Sequence, residues 1–118
     1  MSSKGILYVI LSGPDQVKRA LEGLRIAEYQ AGDGNHGLAI MLQGEGVKWL
    51  QEGNEDYRKE IQASIGVIHE LGAAVFVCGA SLNEYGLTAT MGDYKFLNSS
   101  APKRISQIIA KGWQLAIF

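Results

Sequence analysis

At 118 residues the chain makes one domain of ordinary size, able to bury about two-thirds of the surface that its unfolded form exposes. Its apolar fraction of 47% is that of a globular protein. With 11 basic and 12 acidic residues the net charge is −1, which gives no electrostatic footprint for nucleic acid or an anionic membrane.

The N-terminal apolar run is too short for a signal peptide or a membrane span, so a first strand over Ile6–Leu11 (ILYVIL) and a cytoplasmic location are expected. Ser12-Gly13-Pro14-Asp15 reads as a helix start, with small capping residues and a proline whose φ suits the first turn. Val17, Ala20, Leu21, Leu24, Ala27 and Ala31 then repeat at helical spacing. Gly37–Leu42 (GLAIML) is the second strand, broken by Gly44-Glu45-Gly46, and Val47–Leu50 reads as one helical turn. A second long helix is expected from about Glu55 to Leu71, with Tyr57, Ile61, Ile65, Ile68 and Leu71 inward and Gly72 as its cap. The third strand ends at Cys78, and a short helix follows near Ser81–Tyr85. Leu87–Asp93 is ambiguous. Tyr94–Leu97 fits a short fourth strand, Ser99–Pro102 opens a third long helix with Ile105, Ile108 and Ile109 inward, and Trp113–Phe118 is the last strand.

Strands alternating with helices give an α/β fold, a mostly parallel sheet covered on both faces. Right-handed crossovers place the carboxyl ends of the strands on one edge. No internal repeat, low-complexity tract or linker interrupts this single domain over 1–118. Phe118 either tucks into the core or lies in a subunit interface.

Several motifs fail on context. Gly32-Asp33-Gly34-Asn35-His36-Gly37 fits G-x-G-x-x-G, but it follows a helix and precedes a strand, the reverse of a dinucleotide site, so it reads as a helix stop and a turn. His36 and His69 have no partners at metal-ligand spacing, and one cysteine cannot form a thiolate zinc cage. A G-x-S-x-G elbow and a P-loop are absent from the sequence. No metal or cofactor is expected. Asn98-Ser99-Ser100 matches a glycosylation sequon, which carries no weight without a secretory route. Gly44-Glu45-Gly46 at the end of the second strand is either a plain turn or a place where backbone amides approach a ligand, with Glu45 a solvated carboxylate or a shaper of the field near Cys78.

Cys78 is the single cysteine, so an internal disulfide is excluded. It ends the apolar run Ala73–Val77, and ligands of open α/β sheets gather at the carboxyl ends of strands. A thiol there meets the N–H groups of the next helix, which favour the reactive thiolate. The alternative is a small buried hydrophobe. Ligand-binding candidates around it are Gly79, Ala80, Ser81, Gly44, Glu45, Gly46 and, at the end of the first strand, Ser12.

Val75-Phe76-Val77-Cys78-Gly79-Ala80-Ser81-Leu82 with Gly86-Leu87, the Gly44–Val47 turn, and the closing Gly112-Trp113-Gln114-Leu115-Ala116-Ile117-Phe118 together resemble the DsrE/TusD/YchN-like (DsrE/DsrF-like) sulfur-relay family. The resemblance implies a three-layer α/β/α fold with a five-stranded, mostly parallel sheet, flavodoxin-like in general architecture. It also implies homotrimers or hexamers, and a sulfane sulfur carried as a persulfide on Cys78. On that reading a sulfurtransferase-type chain exchanges sulfur with donor and acceptor proteins. The rival is a non-enzymatic oligomeric scaffold that binds an anion or small ligand, with Cys78 structural.

Overall fold

A computed structural model describes residues 4–34, 37–88, 94–97 and 101–118. Asn35 and His36, most of the ambiguous Leu87–Asp93 stretch, and the sequon at 98–100 lie outside the described residues.

The elements run β1 (Gly5–Ile10), α1 (Val17–Asp33), β2 (Gly37–Leu42), a 3-10 segment (Gly44–Leu50), α2 (Asp56–Glu70), β3 (Ala74–Cys78), α3 (Gly79–Glu84), β4 (Lys95–Leu97), α4 (Ala101–Ala110) and β5 (Gln114–Ile117). The five strands form one sheet in the order β4-β3-β2-β1-β5. Every neighbouring pair is parallel. The expected three-layer fold is therefore the observed one.

The strand order explains the layers. From β1 to β4 the chain steps across the sheet in one direction, so right-handed crossovers put α1, α2 and α3 on one face. From β4 it must return past β1 to reach β5, and the same handedness sends α4 over the other face. Packing follows suit. Tyr8, Ile10, Ile40, Leu42, Val75 and Val77 cluster with Leu24, Ile61, Ile65 and Leu82. Leu7, Val9, Ala39, Met41, Phe76 and Cys78 cluster with Ala101 and Ile108. Alternation along β3 thus turns Cys78 toward α4, although the chain itself passes on into α3.

Phe118 is half-buried and packs against the core. It packs beside Tyr8, ring centroids 6.4 Å apart, and a Cβ at Gly23 would stand 2.6 Å from its ring, so α1 needs a glycine there. Three local expectations need correction. Leu71 is half exposed, because it caps α2 instead of lying on its inner face. Ile109 is also about half exposed, since α4 buries Ala101 and Ile108 and turns Ile109 to its flank. Pro14 opens a 3-10 turn (Pro14–Gln16), α1 begins only at Val17, and neither start has a side-chain cap.

Candidate functional site

The carboxyl ends of β1, β2 and β3 lie side by side, with Ile10 opposite Leu42 and Leu42 opposite Val77. Two close approaches fix the turns that follow. A Cβ on Gly46 would stand 2.0 Å from the Ile10 carbonyl oxygen, and one on Gly13 would stand 2.6 Å from that of Glu45. Gly46 therefore lets one turn press against another strand's backbone. Three side chains, one from the 3-10 segment itself and two from α2, tie it down. Trp49 donates its indole N–H to the Ser12 carbonyl at 2.7 Å, the buried Arg58 donates to the Lys48 carbonyl at 2.7 Å, and Gln62 donates to the carbonyls of Trp49 and Gln51 at 2.8 Å each.

Cys78 sits where this edge meets two helix starts. It is the residue before α3, and only 3% of it is exposed. Burial pushes the thiol's pKa up. The Ser81 hydroxyl and the backbone N–H groups of Ser81, Ala101 and Ala80 outweigh it, and the thiol is held below its ordinary value. The Cys78 side chain closes no capping hydrogen bond on α3. These N–H groups act as a converging field of partial positive charge from the first turns of α3 and α4.

The Ser81 hydroxyl oxygen in turn accepts the Gly44 N–H at 2.9 Å. Gly44 has φ +57°, a left-handed conformation that suits glycine. Next to it, Glu45 pairs with Lys48 at 2.8 Å, and the Lys48 ammonium lies 4.6 Å from the centre of the Tyr85 ring. The hydrogen bond from Lys48 holds the Glu45 carboxyl below its ordinary value; desolvation opposes it, and a weaker hydrogen bond from Tyr85 adds to it.

Thus Cys78, Ala80, Ser81 and Gly44 form one connected network. Gly79 opens α3 within it. Glu45 belongs to a neighbouring ionic cluster, and Gly46 is occupied by packing. Ser12 is buried, donates its hydroxyl to the Phe118 carbonyl at 3.2 Å, and gives its own carbonyl to Trp49. Its hydroxyl and N–H serve the joint between β1 and the chain end after β5, and its carbonyl the joint to the 3-10 segment. Sequence reasoning missed Ala101 and, one turn further along α4, Arg104. The Arg104 guanidinium carbon stands 5.0 Å from the centre of the Phe76 ring, and its buried Nε has no hydrogen-bond partner among the described residues. The signal was there in part: Ala101-Pro102 marks a helix start, but only the crossover to β5 brings that start over Cys78.

The model of the DsrE/DsrF-like family matches residues 4–115. The chain belongs to the DsrE/DsrF-like family. No curated protein matches its sequence. Among solved structures it is similar to the YchN protein of E. coli, with a TM-score of 0.78 at 18% identity over 98% of this chain and 99% of that one. It is also similar to MTH1491 of Methanobacterium thermoautotrophicum, described as a protein of unknown function, with a TM-score of 0.73 at 15% identity over 99% and 100% of the two chains. BT1422 of Bacteroides thetaiotaomicron, likewise of unknown function, follows with a TM-score of 0.69 at 13% identity over 96% and 94%. At these identities the structural likenesses speak to the DsrE-type fold alone. Among the described residues no helix is long and apolar enough to cross a membrane, and no cluster of His, Cys, Asp and Glu could hold a metal ion.

Proposed function

We propose that this DsrE/DsrF-like chain is a sulfur carrier, holding sulfane sulfur as a persulfide on Cys78 and passing it to a partner thiol. The observation that supports this is the place of Cys78, immediately before α3 and packed with Ala101 at the start of α4, where the thiol is held below its ordinary pKa. In the loading step the Cys78 thiolate attacks the outer sulfur of a donor persulfide. The donor's S–S bond breaks, its electron pair leaves with the inner sulfur as a thiolate, and a bond from Cys78 Sγ to the outer sulfur forms. Delivery to an acceptor thiolate is the same exchange in reverse, with no net oxidation. With a single cysteine in the sequence the chain cannot release its persulfide by forming an internal disulfide, so donor and acceptor are other molecules. A free thiol kept reduced suits the cytoplasm, the compartment we assign. The working form on this reading is a homotrimer or hexamer, which sedimentation would test.

A second reading has one observation in its favour. Cys78 is almost wholly buried among Phe76, Met41 and Ala101, as a structural thiol in an anion-binding scaffold would be. Intact mass after incubation with a persulfide donor separates the two. The carrier gains one sulfur atom, Cys78→Ser gains none, and a wild-type chain that gains none either is the scaffold.

A further inference from the structure

The two faces of the sheet are covered unequally. Among the described residues α1, α2 and α3 lie on one face and α4 alone on the other. The sheet has five strands and is about 19 Å across at about 4.8 Å per step, whereas a helix is about 10 Å wide. α4 covers β1, β2 and β3, where Leu7, Val9, Ala39, Met41 and Phe76 are buried. It leaves β5 bare. Leu115 and Ile117 stand in register with Leu7 and Val9, so they share the α4 side of the sheet, yet both are exposed. Ile109 is exposed on the same side. Arg104 lies over Phe76 in β3, and at about 100° per residue Ile109 falls on the opposite flank of α4, toward β5.

β5 is also a free edge, paired with β1 and, among the described residues, with nothing else. Phe118 donates its N–H to the Val9 carbonyl and accepts the Leu11 N–H, each at 2.8 Å. By alternation Gln114 and Ala116 also turn their N–H and C=O groups to β1, and Leu115 and Ile117 turn theirs outward. Proteins guard such edges with charges, prolines or very short strands. β4, at the other edge, has three residues and includes Lys95. From Trp113 to Phe118 there is neither a charged residue nor a proline.

We infer that a second copy of this chain covers this edge, the two β5 strands pairing antiparallel about a two-fold axis at Ala116. The register decides the occupant. With Leu115 opposite Ile117 of the second copy, each such pair exchanges both of its backbone hydrogen bonds, and the two pairs together satisfy every outward group of Leu115 and Ile117 in both strands. The same register sets the Leu115 side chain against that of Ile117 of the second copy, twice, on the bare α4 side of the sheet. Ala116 meets its own counterpart on the axis, where its small side chain leaves room. The edge is thus its own complement in donors, acceptors and aliphatic side chains, as a contact between identical surfaces requires. A two-fold contact builds even-numbered assemblies, so of the forms assigned to the carrier it admits the hexamer and not the trimer. It does not rest on sulfur transfer.

The test joins sedimentation of the intact chain to amide hydrogen exchange read residue by residue by NMR. Wild type should sediment as an even-numbered assembly, with the Leu115 and Ile117 amides protected as well as that of Ala116. Ile117 is 58% exposed, so Ile117→Lys should still melt cooperatively. A lysine on the edge should weaken the association by about tenfold or more. In that variant the Leu115 and Lys-substituted amides should exchange freely, while Ala116, held by β1, stays protected. Edge amides that exchange freely in the assembled wild type overturn the inference, whatever surface joins the copies. A wild type that sediments as a monomer or a trimer overturns it too, the edge then being open or kept for a strand of another protein. Should Ile117→Lys not fold, the wild-type exchange decides alone. Sulfur uptake is a separate matter: a wild type that never takes up sulfur defeats the carrier reading and leaves the exchange result standing.

Discussion

Trp49 gives its indole N–H to the carbonyl of Ser12 at 2.7 Å, tying the segment after β2 to the turn after β1. Both groups are buried, so neither has water to replace the other. Trp49→Phe keeps an aromatic ring but leaves the Ser12 carbonyl unpaired. Its unfolding free energy should fall by about 1–3 kcal/mol, read from urea denaturation. A fall smaller than the error of the measurement would show that the joint does not depend on this bond.

Glycine content at the edge has a paired test. Gly46→Ala puts a methyl 2.0 Å from the Ile10 carbonyl oxygen, a backbone atom that cannot swing aside. It should destabilise by about 1–3 kcal/mol, as overpacking does. Gly66 lies within α2 with nothing within 4 Å of its added Cβ. Gly66→Ala should stabilise by about 0.5–1 kcal/mol. Equal effects at the two sites would contradict the close approach of the turn to β1.

The Cys78 thiol makes stability depend on pH. Its folded pKa lies below its ordinary, unfolded value. For a group lowered on folding, the contribution is fully present above the unfolded pKa and is lost as pH falls through the folded one. The difference in unfolding free energy between wild type and Cys78→Ser should therefore grow in favour of wild type from neutral pH upward through that window. A difference that stays flat or shrinks would show that the N–H groups and the Ser81 hydroxyl do not outweigh burial.

Only 3% of Cys78 is exposed, under the first turn of α4. Modification of the folded chain should discriminate by reagent size, with a small alkylating agent reacting well ahead of a bulky disulfide reagent. The gap should close in denaturant. Equal native rates would place the thiol at the surface.

Much of this was legible in the residues. ILYVIL, GLAIML and AAVFV are continuous apolar runs because a parallel sheet covered on both faces leaves no polar side. The place of Cys78 at a strand end and a helix start followed from Gly79-Ala80-Ser81. Its partner on the other side did not. Whether Phe76 and Cys78 face α3 or α4 depends on β5 pairing with β1, a contact between residues a hundred positions apart that no local pattern carries. Ser12 looked like a cap or a ligand group because a serine hydroxyl serves either, and only the arrival of Phe118 decides its use. Leu71 keeps helical spacing, but the core stops a turn sooner at Ile68, and Ile109 lies on the flank of α4 beside the buried Ile108.

The carrier role is tested most directly by following an isotope. The chain is incubated with a donor persulfide whose outer sulfur alone is isotopically heavy, freed of donor, and mixed with an acceptor thiol. Mass spectrometry then reads the Cys78 peptide and the acceptor. The heavy sulfur should appear first on Cys78 and then on the acceptor, with the peptide returning to its unmodified mass. Heavy sulfur that never reaches Cys78, or that reaches the acceptor as fast through Cys78→Ser, would contradict it.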